Sequence, residues 1–103
     1  MPEIMPRNLF LTEFQALVGQ DLLADCDPEP VALRLVEATP LRSGSADERA
    51  PFILVFRSGP EQLLVDGAYT MRNGTFDPAS IFLSSMTPPR DAEAGYYYQA
   101  IFN

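Results

Sequence analysis

The chain has 103 residues, 47% hydrophobic and 11% aromatic, and sets fourteen acids against seven bases for a net charge of −7. A chain this long buries roughly two-thirds of its unfolded surface, enough for one core without disulfides or metals. The negative field excludes nucleic-acid binding by counterion release and adhesion to an anionic membrane surface.

Residues 1–10 read as a flexible N-terminal arm ahead of a single β domain over residues 11–103. The arm carries two prolines and no periodicity. Leu11-Thr12-Glu13-Phe14-Gln15 predicts a helix start, with Thr12 as cap and Gln15 at the capping-box position. Phe14, Leu17 and Val18 share one face of that helix, and Gly19 supplies a left-handed stop.

Strands follow. Asp21–Cys26 is a short one, closed by the proline-flanked Asp27-Pro28-Glu29-Pro30. Over Val31–Thr39, the side chains of Val31, Leu33 and Leu35 alternate with Ala32 and Arg34. Pro40 ends that strand, and Leu41–Pro51 is a polar loop. Phe52–Arg57 is strongly apolar, and Ser58-Gly59-Pro60-Glu61 predicts a hairpin turn into Gln62–Val65. Asp66-Gly67 marks a turn or bulge before Ala68–Arg72. Asn73-Gly74 opens a further turn, Ser80–Met86 is a strand, and Thr87–Ala94 is an exposed loop. Tyr96–Phe102 is the last strand, rich in residues that suit a pleated, half-buried surface. The pattern predicts a mainly all-β fold: a small antiparallel β-barrel or sandwich of six to seven strands with one short N-terminal helix.

Two strands are apolar on both faces, where a sheet with one wet face should alternate with polar residues. Phe52, Leu54 and Phe56 oppose Ile53 and Val55. Tyr96, Tyr98, Ala100 and Phe102 oppose Tyr97 and Ile101. The first set of each strand suits the core, so Tyr97, Ile101, Ile53 and Val55 form the candidate contact surface. Tyrosine enrichment at interfaces favours that reading over a carbohydrate-stacking site, for which no tryptophan is present.

Residue types restrict the chemistry. All seven bases are arginine, so Schiff-base catalysis and a Walker-type lysine are excluded. The absence of histidine removes the commonest general base and metal ligand. The single cysteine, Cys26, forms no intramolecular disulfide and suits a reducing cytoplasm. Nothing in the sequence supplies a histidine or lysine to activate it, and a small buried residue at a strand end is the simpler reading. Asp25, Asp27 and Glu29 share one side of an extended chain, as a hard divalent cation would want. They lack the spacing of a calcium loop, and a solvated turn explains them. Asn73-Gly74-Thr75 matches the glycosylation sequon but reads as a turn, because Met1–Arg7 lacks the pattern of a secretory signal. No run reaches transmembrane length. No cofactor is implied.

Five landmarks stand in order: Phe14–Gly19, Pro51–Arg57, Gly67-Ala68-Tyr69, Ile81-Phe82-Leu83 and Tyr97–Asn103. Together they resemble a family of small bacterial proteins of about this length, a domain of unknown function. The resemblance covers Leu11 to Asn103 and implies a fold more than an activity. Members tend to accompany phage-tail-collar-like proteins, which implies an accessory role in a tail-like or surface assembly. One departure is visible: the family often has a histidine shortly after the Gly-x-Tyr strand, where this chain reads Met71-Arg72-Asn73.

The expectation is therefore a cytoplasmic, non-enzymatic structural or interaction protein with a protein partner or a second copy of itself. The alternative is a small-ligand-binding β-barrel with the loops Arg42–Arg49 and Pro88–Glu93 as lips. An enzyme of unknown type is third.

Overall fold

The computed structural model describes residues 9–26, 28–41, 51–74 and 76–102. Most of the N-terminal arm, most of the polar loop Leu41–Pro51, Asp27 of the acidic turn and Thr75 of the sequon lie outside them. One helix, α1 (Leu11–Gln15), precedes six strands: β1 (Asp21–Ala24), β2 (Val31–Pro40), β3 (Phe52–Ser58), β4 (Gly67–Asn73), β5 (Phe76–Met86) and β6 (Tyr96–Phe102). All neighbours are antiparallel, and the order β1-β2-β3-β6-β5-β4 closes on itself through β1 and β4. The expected small antiparallel barrel is thus a closed one of six strands. The order β4-β1-β2-β3 within it is a Greek key.

Alternation places the core. On β2, Val31, Leu33 and Leu35 point inward while Ala32 and Arg34 face water, as the sequence pattern predicts. Between Leu35 and Glu37 the register against β3 slips, leaving Val36 as an extra, exposed residue. Such a bulge bends and twists the strand, which a tightly curved barrel requires. A second irregularity sets Asp77 and Pro78 of β5 against Arg72. Pro78 therefore lies inside a strand but at a break in the regular ladder, where its missing N–H is tolerated.

The two barrel ends are closed differently. At one end α1 inserts Phe14, fully buried, against Phe52, Phe76 and Phe102 at ring-centroid distances of 5.9, 5.2 and 5.9 Å. Phe52 and Phe102 stack at 4.6 Å. The helix begins two residues before the expected cap. Phe10 is its N-cap, and the Glu13 carboxylate accepts a hydrogen bond from the Phe10 N–H at 3.0 Å. That arrangement is half of a capping box, built on Glu13 instead of Thr12 and Gln15. Leu9, placed by sequence in the arm, packs against the core. Val18 is 45% exposed and not on the buried face, because the helix ends at Gln15 and the chain turns. Gly19 takes φ +90°, as a left-handed stop requires, and its N–H donates to the Leu35 carbonyl at 2.8 Å.

At the other end the 59–66 segment folds over the barrel mouth. The expected hairpin strand Gln62–Val65 does not form: these residues join no ladder, and β3 pairs with β2 and β6. Side chains take the backbone groups instead. The Tyr98 phenol accepts from the Leu64 N–H at 3.0 Å, and the Ser58 hydroxyl donates to the Gln62 carbonyl at 2.6 Å. The Tyr69 phenol donates to the Val65 carbonyl at 2.7 Å, and Asp66 accepts from the Ser85 N–H at 2.9 Å. Leu64 is thereby held in the core while Leu63 and Val65 remain exposed.

Candidate interaction face and arginine cleft

The outer wall formed by β3, β6 and β5 carries the residues singled out from sequence. β3 and β6 run in uninterrupted register, with Ile53 opposite Ile101, Val55 opposite Gln99 and Arg57 opposite Tyr97. Ile101 is 51% exposed and Ile53 is half-buried. Val55 and Tyr97 are only 6% and 4% exposed, although they point outward. The Tyr97 phenol donates to the Glu93 carbonyl at 2.9 Å and so is already engaged within the chain. Tyr96, grouped by alternation with the core, is 40% exposed because it stands at the barrel rim opposite Ser58.

Phe82 joins this wall. The β5–β6 ladder pairs Ser84 with Gln99, and two positions further on lie Phe82 and Ile101, outward on the same face. Phe82 is 60% exposed. Its signal was present in the alternation of Ala79, Ile81 and Leu83, all buried, which leaves the intervening residue outside. The outward residues Ser80, Phe82 and Ser84 of β5, Gln99 and Ile101 of β6, and Ile53 and Val55 of β3 include no charge. In a chain with 21 charged side chains, that is a local depletion.

Beside this wall runs a charged row across four strands. Asp21 faces Arg34, Arg34 faces Arg57, and Arg57 faces Tyr97. Arg34 Nε lies 2.9 Å from Asp21 Oδ1, and that hydrogen bond, with the Asp21 charge, raises the Arg34 pKa above its ordinary value. Arg57 Nη1 donates to the Ala94 carbonyl at 2.8 Å, and Nη2 lies 3.3 Å from Glu93 Oε2. These contacts and the Tyr97 hydrogen bond pin the 87–95 loop against the barrel. The loop holds Asp91 at φ +59° and Gly95 at φ +143°. A Cβ at Gly95 would collide with the Ser58 carbonyl oxygen, so only glycine fits. Between the loop and β2 lies an open cleft of about 410 Å³, lined by Val18, Val36, Arg34, Pro89, Arg90 and Ala92 among others. The expected lip Pro88–Glu93 borders this outer cleft; the other expected lip, Arg42–Arg49, lies outside the described residues.

The barrel interior offers a ligand little room. Leu22, Leu33, Leu35, Leu54, Phe56, Met71, Ile81, Leu83 and Tyr98 all point inward and are at most 1% exposed. Six strands enclose a narrower space than the eight whose interior side chains just fill.

The remaining sequence candidates are separated. Asp25 pairs with Arg72 at 2.9 Å. Among the described residues no three of His, Cys, Asp and Glu gather as a metal-binding group. The Cys26 thiol is half-buried and lies 3.5 Å from the carbonyls of Ala24 and Glu29. Among the described residues no helix is long and apolar enough to cross a membrane.

A search of the curated proteins and a search of the solved structures each found no match. The family comparison gives the identity: residues 9–102 match Domain of unknown function (DUF6916), and the chain belongs to that family.

Proposed function

We propose that this chain is a non-enzymatic structural or interaction module that docks through the outer wall of β3, β6 and β5. The observation that carries this reading is the uncharged patch around Ile101, Ile53 and Phe82 on a chain of net charge −7. Depletion of charge with retention of aromatic and aliphatic groups is the signature of an interface centre. Val55 and Tyr97 lie in the same wall and support it from within the fold, leaving Ile53, Ile101 and Phe82 as the groups a partner reaches.

The partner in this reading is a protein, either a second copy or another chain. The acidic surface disfavours nucleic acid and anionic lipid. The half-buried free thiol of Cys26 suits a reducing compartment, which supports a cytoplasmic location in this reading. The resemblance to proteins that accompany phage-tail-collar-like neighbours gives the narrower form of the proposal, an accessory of a tail-like or surface assembly.

Light scattering on the purified chain tests self-association directly. A defined oligomer that becomes a folded monomer in Ile53→Asp/Ile101→Asp supports a second copy as the occupant. If the wild type is monomeric, the same pair is compared in a pull-down from host lysate. A partner retained equally by wild type and variant overturns the assignment of this wall.

A further inference from the structure

We propose that the cleft between β2 and the 87–95 loop is a binding site for a carboxylate carried on an apolar body. The proposal concerns a different surface from the β3–β6–β5 wall and stands or falls separately from it.

Arg34 and Arg57 are directly opposite one another on adjacent strands. Like charges in that position are destabilising, so the pair needs an anion to hold it. The chain supplies one on each flank. Asp21 takes the Nε edge of Arg34, and Glu93 sits against Arg57 while also adding favourable charge to Arg34.

Glu93 shows what the cleft accepts. Its carboxylate rests at 3.3 Å from Arg57 Nη2 on a side chain that is 81% exposed. An exposed ion pair of this kind contributes little and exchanges readily with another anion. Donors also remain beyond it. Among the described residues, Arg34 is paired with Asp21 through its Nε edge, and the Arg90 guanidinium has no partner. Planar guanidinium groups favour carboxylates by bidentate geometry.

The rest of the lining is mostly apolar, from Val18, Val36, Pro89 and Ala92, with one further carboxylate at Glu37. A volume of about 410 Å³ falls in the range of small-molecule sites, which combine an apolar wall with a few placed polar groups. An inorganic anion would leave that wall unused. The ligand chemistry is therefore a carboxylate next to an aryl or alkyl group, whether a free organic acid or the C-terminal residue of a peptide.

Calorimetry and amide-resolved NMR titration with 4-phenylbutyrate, its neutral amide, an acetylated peptide ending in a free phenylalanine carboxylate, and inorganic phosphate test the proposal. The carboxylates should bind and shift amides of residues 89–93, with the neutral amide weaker by about ten-fold or more, the usual weight of a charge-assisted hydrogen bond. Arg34→Gln/Arg90→Gln should lose a similar factor, while Arg72→Gln, on the far pair with Asp25, should bind as wild type. Glu93→Gln should bind a few-fold tighter, because the resident carboxylate no longer competes. Whichever of the free acid and the peptide binds tighter identifies the source. Absence of binding by either carboxylate at millimolar concentration, equal binding of the neutral amide or of phosphate, or unchanged affinity in the double arginine variant overturns it.

Discussion

The Ser58 hydroxyl and the Tyr98 phenol lie 2.9 Å apart, and both residues are 1% exposed. They join β3 and β6 to the 59–66 segment, since Tyr98 accepts the Leu64 N–H and Ser58 donates to the Gln62 carbonyl. Tyr98→Phe keeps the ring but orphans the Leu64 N–H. Leaving a buried donor unsatisfied costs about 1–3 kcal/mol. Urea unfolding should show a loss of that size. Ser58→Ala removes the other member, and the double variant should lose less than the sum, with coupling of about 0.5–3 kcal/mol for groups in one network. Strict additivity would mean that the two groups act independently.

Phe14 anchors the opposite end. Its ring meets three others, and no other α1 residue is buried. Phe14→Ala should therefore cost about 3–5 kcal/mol, as large-to-small changes at aromatic core sites do. Phe14→Leu should recover part of it. A melting temperature unchanged in Phe14→Ala would show that the helix is dispensable to the barrel.

Periodicity made the barrel walls legible in the sequence. The strands β2, β3 and β6 were bounded to within a residue because Val31–Leu35 alternates, Phe52–Phe56 and Tyr97–Phe102 are strongly apolar, and Pro30, Pro40, Pro51, Gly59 and Gly95 flank them. What sequence reasoning missed was long-range. Gln62–Val65 has strand composition, yet its backbone groups are taken by Ser58, Tyr69 and Tyr98, the last of them 34 positions from Leu64 in sequence. Tyr97 was correctly placed on the outward face, but its burial depends on the 87–95 loop folding back. The arginine row was hidden for the same reason, because only strand register brings Arg34 and Arg57 together.

Gly95 shows how that loop is fixed. Gly95→Ala demands both a disfavoured φ of +143° and a Cβ against the Ser58 carbonyl. Strain of that kind costs of order 1–3 kcal/mol. The loop should detach before the barrel does, so the variant should expose Tyr97 and Arg57 and raise hydrogen exchange over residues 89–95. Wild-type exchange in that segment would contradict the pinning ascribed to it.

Ile101→Asp separates an interface role from a packing role. Half of the Ile101 surface faces solvent in the isolated chain. Substitution at exposed sites usually changes stability by less than about 0.5 kcal/mol, and partial burial against Ile53 adds modestly to that. The variant should therefore melt near wild type while losing its oligomer or partner. Unfolding instead of dissociation would show that the wall serves the core alone.

Tyr69 gives the fold an alkaline limit. Its pKa is raised, first by burial and then by the neighbouring Cys26, Tyr98 and Asp66 groups, all of which disfavour a phenolate. The neutral phenol also donates to the Val65 carbonyl, which a phenolate cannot do. In the unfolded chain the phenol ionises at pH about 10. Above that value the folded form retains a proton that the unfolded form has released, so stability falls as pH rises towards the folded pKa. Below it both forms are protonated, and Tyr69 contributes no slope. Urea midpoints measured upward from pH 8 should stay level and then decline in the phenol range. Tyr69→Phe should start lower, having lost the hydrogen bond, and decline less steeply. A decline of equal slope in the variant would assign the alkaline transition to other groups.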